Sequence, residues 1–200
     1  MSVQLIAWDF DGVLNRVQND QGAVAAAFER DIGLSFEHFV AHMFTQEHMG
    51  RVLTGAETIE DLFGDWLAGE GSELQAETLL TWWLEANHAP DEEMAALAER
   101  LPHRQIIATN NEARRAAYIR ELAGWGARVE AIFASGPMGV AKPDPGFFAQ
   151  ITEWSGLTAG EILLIDDNTQ SIEAARALGW QTFLFNDETR EALPAALGLS

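Results

Sequence analysis

The chain has 200 residues, near the size of one domain or of one domain carrying a smaller insertion, and 48% of them are hydrophobic, which argues against two large domains and excludes a disordered chain. Cysteine is absent, which rules out disulfides, thiolate zinc sites, iron–sulfur clusters and a cysteine nucleophile. Twelve Lys plus Arg stand against 31 Asp plus Glu, a formal charge of −19 that repels nucleic-acid phosphates and anionic lipid, so neither nucleic acid nor a membrane is an expected partner.

The N-terminal stretch Met1-Ser2-Val3-Gln4-Leu5 lacks a basic region leading into a long apolar segment. No run approaches the roughly 18 apolar residues of a spanning helix, so a cytoplasmic protein is expected. The short apolar run Gln4–Trp8 reads as a buried strand. Helical patterns follow near Ala23–Asp31, Phe36–Phe44, Ala56–Leu67 and Glu73–Ala86, separated by Gly33, Gly50, Gly55 and Gly69-Glu70-Gly71.

A second strand is expected at Gln105–Ala108, after far more chain than one crossover helix requires. Further buried runs at Ala131–Ala134, Ile162–Ile165 and Thr182–Phe185 alternate with helical patterns, the signature of a parallel α/β sheet. The expected organisation is therefore an α/β core of residues 1–15 and 89–200, interrupted by an all-helical insertion at 16–88. Its hinges fall near Asn15–Asp20 and Asn87–Asp91. The insertion carries three cationic residues, Arg16, Arg30 and Arg51, against thirteen acidic ones, a pattern that solvated helix faces produce or that serves to repel highly anionic ligands.

The first run ends in Trp8-Asp9-Phe10-Asp11-Gly12, which sets two carboxylates two residues apart where a parallel sheet opens its ligand crevice. Alone, Asp-x-Asp-Gly is equally a loop start or a calcium-type turn. The second strand leads into Thr109-Asn110-Asn111, and a helix starting near Glu112 would leave free backbone N–H groups there, either an anion pocket or an ordinary N-cap. The fourth strand ends in Asp166-Asp167-Asn168, bringing two more acids to the same edge. Like charges 4 Å apart repel by about 4 kcal/mol at an effective dielectric near 20, so such a cluster needs a cation or protonation. All-oxygen ligation favours Mg²⁺. Lys142, in Ala141-Lys142-Pro143-Asp144-Pro145, is the only lysine in the chain; it reads either as a needed compact ammonium or as a solvated surface residue.

Taken together, Asp9-Phe10-Asp11-Gly12-Val13-Leu14, Thr109-Asn110, Lys142-Pro143-Asp144-Pro145 and Asp166-Asp167 resemble the four ordered motifs of the haloacid dehalogenase (HAD) superfamily. The resemblance spans nearly the whole chain. It implies a Rossmann-like core with the helical insertion as a cap, Asp9 as the nucleophile that forms an aspartyl-phosphate, and Asp11 as acid and base. It further implies that Thr109 and Asn110 hold phosphoryl oxygens and that Lys142 pairs with nucleophile and phosphate. Mg²⁺ would be held by Asp166, Asp167, Asp9 and the backbone carbonyl of Asp11. Asp11 favours phosphorus over carbon chemistry within the superfamily, since the dehalogenase pattern lacks it. The expected activity is Mg²⁺-dependent hydrolysis of a small phosphorylated metabolite such as a sugar phosphate, with a phosphomutase or a non-catalytic regulatory module as alternatives. Val13, Arg16 and Ser171 depart from the frequent residues of the motifs.

Within the insertion, Arg51 is placed to meet a substrate anion or to face solvent. Trp66 and Trp82-Trp83 suit either stacking on a ligand or a core. His38, His42 and His48 have a spacing that zinc accepts, but Phe39 follows His38 where a metalloprotease helix needs Glu. Replacing Lys142 is expected to impair activity with little effect on folding.

Overall fold

The computed structural model describes residues 2–16 and 20–199. Residues 17–19 of the expected first hinge lie outside the described residues. Strand β1 (Leu5–Trp8) is buried along its whole length. Its odd and even positions feed two different cores: Ile6 and Trp8 enter one apolar cluster, Leu5 and Ala7 another. This is why the strand is continuously hydrophobic rather than alternating, the mark of a sheet covered on both faces. Ile107 and Ile106 in β2 (Arg104–Thr109), and Leu163 and Leu164 in β4 (Ile162–Asp166), divide in the same way.

With β3 (Ala131–Ala134) and β5 (Gln181–Leu184), these strands form one parallel sheet of order β3-β2-β1-β4-β5. The chain runs from β1 outward through β2 to β3, then returns to β4 on the other side of β1. The connections therefore diverge between β1 and β4, and a crevice opens at their C-terminal ends. Those ends carry Asp9 and Asp166. The expected strands are all present, with bounds shifted by a residue or so.

The first five helices after β1 form the insertion: α1 (Gln21–Ile32), α2 (Phe36–Met43), α3 (Gln46–Leu53), α4 (Ile59–Gly69) and α5 (Ala76–Ala86). They share their own core, in which Phe28, Phe39, Phe63 and Trp66 are buried. Phe39 stacks on Phe28 with centroids 4.9 Å apart and meets Trp66 edge-on at 5.1 Å. Burying each such ring fully stabilises by roughly 1.5–3 kcal/mol over leaving it exposed. Two corrections to the expected pattern arise here. Helix α3 runs through Gly50, where a break is expected, and ends before Gly55, which does separate it from α4: Thr45 caps it through the His48 N–H, and Val52 anchors it in the core. Conversely, the pattern at Ala56–Leu67 begins as a helix only at Ile59, because Thr58 takes the cap position and receives the Asp61 N–H.

After the insertion, α6 (Glu92–Glu99) precedes β2, and α7 (Ala113–Glu121) joins β2 to β3. Short α8 (Ser135–Met138), α9 (Pro145–Ser155), α10 (Thr169–Ala177) and the terminal α11 (Leu193–Ala196) complete the core. The two chain crossings into the insertion are tied together: Arg16 N–H donates to the Ala89 carbonyl at 2.7 Å and Asp91 N–H to Leu14. Among the described residues no helix is long and apolar enough to cross a membrane.

Candidate active site

Asp9 follows the last residue of β1, and its amide donates to the Ile165 carbonyl at 2.8 Å, so strand pairing itself holds the first acid beside the end of β4. Its carboxylate accepts from the Phe10 N–H at 2.7 Å. Asp166, the last residue of β4, is fully buried and accepts from the Asn168 N–H at 2.7 Å. Asp167 lies across from Gly12, where φ is +89° and a Cβ would sit 2.1 Å from the Asp167 carboxylate. Only glycine permits that approach. Oxygens of Asp9, Asp166 and Asp167 come within 4.8 Å of one another, and no other group of three metal-ligating side chains forms among the described residues. His38, His42 and His48 do not assemble into a metal site: His38 pairs with Glu70 at 3.3 Å, while His48 Nδ1 meets the His42 carbonyl at 2.8 Å.

Lys142 is 5% exposed, not a solvated surface residue. Its ammonium donates to Asp166 Oδ2 at 2.6 Å and to the Ala108 carbonyl at 2.8 Å, and lies 3.1 Å from Asp9 Oδ1. One buried cation thus serves two buried carboxylates. Burial pushes the Asp9 carboxyl up to about 7; the Lys142 charge opposes this, and the Asp166 and Asp167 charges add to it. Asp167 is likewise raised, by burial and by Asp166. For Lys142 burial acts downward, but the charges of Asp9 and Asp166 prevail and hold its ammonium above the usual lysine range. The expectation that folding is indifferent to Lys142 therefore fails on burial: its loss would leave two carboxylates facing each other in a dry site.

Thr109 ends β2, buried, and its hydroxyl accepts from Asn111 Nδ2 at 2.7 Å. The Asn110 amide group is engaged within the protein. It clasps the main chain of Lys142, donating to the carbonyl and accepting from the N–H, both at 2.8 Å. Of the two readings of this helix N-terminus the structure shows a capped end: Glu112 is the N-cap of α7, and its carboxylate accepts from the Arg115 N–H at 2.6 Å and from the Arg114 N–H. A capping carboxylate satisfies the donors that an anion would otherwise meet. Arg51 is also not brought to the site; it pairs with Glu57 at 2.8 Å and Glu47 at 3.6 Å within the insertion.

Asp11 stands apart from the three clustered carboxylates. Its Oδ1 accepts from Asn15 Nδ2 at 2.9 Å and Arg115 Nη2 at 3.0 Å, and its Oδ2 from Asn111 Nδ2 at 3.0 Å. Arg115 is 5% exposed and also donates to the carbonyls of Leu84 and Asn87, at the end of α5 and just beyond it. Asn15 donates to the same Asn87 carbonyl and accepts from the Ala89 N–H. Asp11 is thereby linked to both chain crossings. Arg115, Asn15, Asn111 and Glu112 are site residues that motif reasoning passes over. One local signal points inward: Arg115 and the buried Ile119 are four apart on α7 and share a face.

A family model described as haloacid dehalogenase-like hydrolase matches residues 3–179. The chain belongs to the haloacid dehalogenase-like hydrolases. In fold it is similar to a HAD family enzyme from Bacteroides thetaiotaomicron, solved in complex with magnesium and inorganic phosphate, with a TM-score of 0.77, 18% identity and coverage of 92% of this chain and 95% of that one. The L-2-haloacid dehalogenase of Xanthobacter autotrophicus matches with a TM-score of 0.67 at 24% identity, over 98% of this chain and 82% of that one. Among curated proteins, drimenol cyclase drtB of Aspergillus calidoustus is 33% identical over 69 residues, 34% of this chain. The chain spans less than a quarter of the length of the curated relatives it matches.

A cavity of about 220 Å³ opens between the insertion and the sheet edge. Asp11, Asn110, Asn111 and Arg115 form its floor, and the rest of its wall comes mainly from α2, α3, α4 and Trp83 of α5. Trp66 and Trp82 do not line it: Trp66 is in the core of the insertion, and Trp82 donates to Asp31 at 3.1 Å.

Proposed function

We propose that this hydrolase is a Mg²⁺-dependent phosphomonoesterase that acts on a small phosphorylated metabolite through an aspartyl-phosphate on Asp9, with residues 16–88 as a cap over a core of residues 1–15 and 89–200. The observation that carries the reading is the imbalance of charge at the end of β1 and β4: three carboxylates share one point against the single ammonium of Lys142. A divalent cation with a preference for hard oxygen ligands fits that donor set. Displacement of halide from a neutral carbon has no need of so much negative charge. When bound, Mg²⁺ supplies charge that lets a phosphoryl dianion approach a carboxylate.

The chain's own residues divide the remaining work. Asp9, its Oδ1 oriented by the Phe10 N–H and Lys142, attacks phosphorus and displaces the alcohol oxygen. Lys142 neutralises charge that develops on the transferring group, while Asn110 fixes the loop that carries it. Asp11 protonates the departing oxygen and then takes a proton from the water that hydrolyses the acyl phosphate. Asn15, Asn111 and Arg115 hold Asp11 in place. Phosphate release and halide release, each measured with Mg²⁺ and with EDTA, test the reading. Phosphate from phosphomonoesters with Mg²⁺ and none with EDTA is expected. Halide from a 2-haloacid with no phosphate from any ester would overturn it.

A further inference from the structure

We propose that the cavity between insertion and core selects a phosphomonoester whose alcohol portion is apolar, a short alkyl or aralkyl group, over phosphorylated sugars and over phosphoesters bearing a second anion. The proposal rests on the phosphohydrolase reading above and names its substrate class. It departs from the sugar phosphate given above as one example of a small phosphorylated metabolite.

Three observations carry it. The wall is built from Phe39, Phe44, Met49, Leu53, Ile59 and Trp83, side chains that offer a sugar little besides contact surface. Apart from the indole N–H of Trp83, its polar members lie mainly at the floor and are already engaged. The amides of Asn110 and Asn111 serve Lys142, Asp11 and Thr109, and the Asn87 amide donates to the Trp83 carbonyl at 2.8 Å. Sugar hydroxyls entering there would give up water without gaining equivalent partners, which opposes binding. Finally, the one cation of the lining, Arg115, is committed to Asp11 and two backbone carbonyls, while Glu112 adds negative charge. A carboxylate or second phosphate on the substrate would find no free positive partner.

The cavity opens on Asp11 at one end, so an ester oxygen near that residue would lead its carbon chain between α2, α3 and Trp83. Phe44, 50% exposed and in ring contact with Trp83 at 6.0 Å, stands in this wall where a buried alkyl chain would cover it. Covering apolar surface is favourable in proportion to the area removed from water.

The test is a homologous series of ethyl, butyl and hexyl phosphate with benzyl phosphate, set against glucose 6-phosphate and 3-phosphoglycerate, each with Mg²⁺. We expect kcat/KM to rise about threefold per methylene until the cavity is full, and hexyl or benzyl phosphate to exceed both polar esters by on the order of a hundredfold. Met49→Lys should flatten the series and improve 3-phosphoglycerate relative to hexyl phosphate. Binding of hexanol or benzyl alcohol, read by Trp fluorescence or calorimetry without turnover, should be detectable where glucose gives no signal. A flat series, or polar esters turned over as well as apolar ones, would overturn the cavity proposal and leave the phosphatase reading standing. Apolar alcohols that bind while no ester is hydrolysed would instead sink the phosphatase reading. Failure of those alcohols to bind, together with an unselective series, would dispose of the apolar site.

Discussion

Arg115 Nη2 lies 3.0 Å from Asp11 Oδ1, a pair 104 residues apart in sequence that joins the first helix after β2 to the loop after β1. The same guanidinium reaches the Leu84 and Asn87 carbonyls, so one side chain spans the sheet edge, α7 and the return from the insertion. Neighbouring Arg114 makes a parallel connection on the outside, to Glu60 and Glu77.

Arg115→Ala should lower stability by about 1–3 kcal/mol, since it takes the guanidinium donor from the Leu84 carbonyl and leaves Asp11 and the Asn87 carbonyl to Asn15 and Asn111 alone. Lysine should rescue poorly, because one ammonium cannot span three acceptors held by a planar fork. If Asp11 is the acid that serves the leaving oxygen, the kcat loss in Arg115→Lys should be larger for an alkyl phosphate than for a nitrophenyl ester that needs no protonation. Urea unfolding and kcat with the two esters check both parts. An unchanged midpoint would show that the network carries no weight in folding.

Lys142→Ala should cost at least a hundredfold in kcat, in line with the loss of a preorganised charge donor. It should also destabilise the metal-free protein by about 3–5 kcal/mol, because Asp9 and Asp166 are left buried without their cation. Added Mg²⁺ should recover part of the lost melting temperature, supplying positive charge to the same carboxylates. A variant as stable as the parent without metal would contradict the burial argument.

The raised Asp9 carboxyl predicts a definite dependence of stability on pH. Its folded value is about 7 against 3.8 in the unfolded chain. Between those limits the folded state binds the extra proton, so unfolding releases it and stability falls as pH rises from about 4 to 7. Above 7 the penalty is complete; below 4 it vanishes. Asp9→Asn removes this contribution. Without metal, the variant should therefore gain stability on wild type across that window and hold a constant difference above it. Chemical denaturation at pH 4, 5.5, 7 and 8.5 measures this, and a constant difference throughout would refute it.

Asp9 and Asp11, two residues apart, should fail at different steps. Asp9→Asn should form no phosphoenzyme, since an amide is a poor nucleophile. Asp11→Asn should still phosphorylate Asp9 when the leaving group is activated and then stall for want of a base, giving a burst of alcohol without steady turnover. Intact-mass spectrometry of acid-quenched samples distinguishes them. An adduct in both variants, or full turnover by Asp11→Asn, would mean the roles are wrongly assigned.

Composition and local pattern determine a large part of this protein. The continuous apolar runs demand a sheet buried on both faces, and the acids at their ends must then meet at one edge, because parallel strands deliver their C-termini to the same side. The long interval after β1 likewise requires an inserted helical layer. These features depend on hydrophobic runs and on order along the chain, which are local. What only the tertiary structure decided is where individual polar and aromatic side chains point. Arg51 and Arg115 look alike as helical arginines, yet one pairs with Glu57 and the other is buried against Asp11. Glu112 fills a helix end that the pattern leaves open, and Gly50 falls inside a helix rather than breaking one. Phe39 is part of the insertion's own core and also lines the cavity, whereas Trp66 serves the core alone, a distinction that periodicity cannot draw because both lie on apolar helix faces. Such outcomes are set by contacts between residues far apart in sequence, whose energies depend on burial and on distances of a few ångströms.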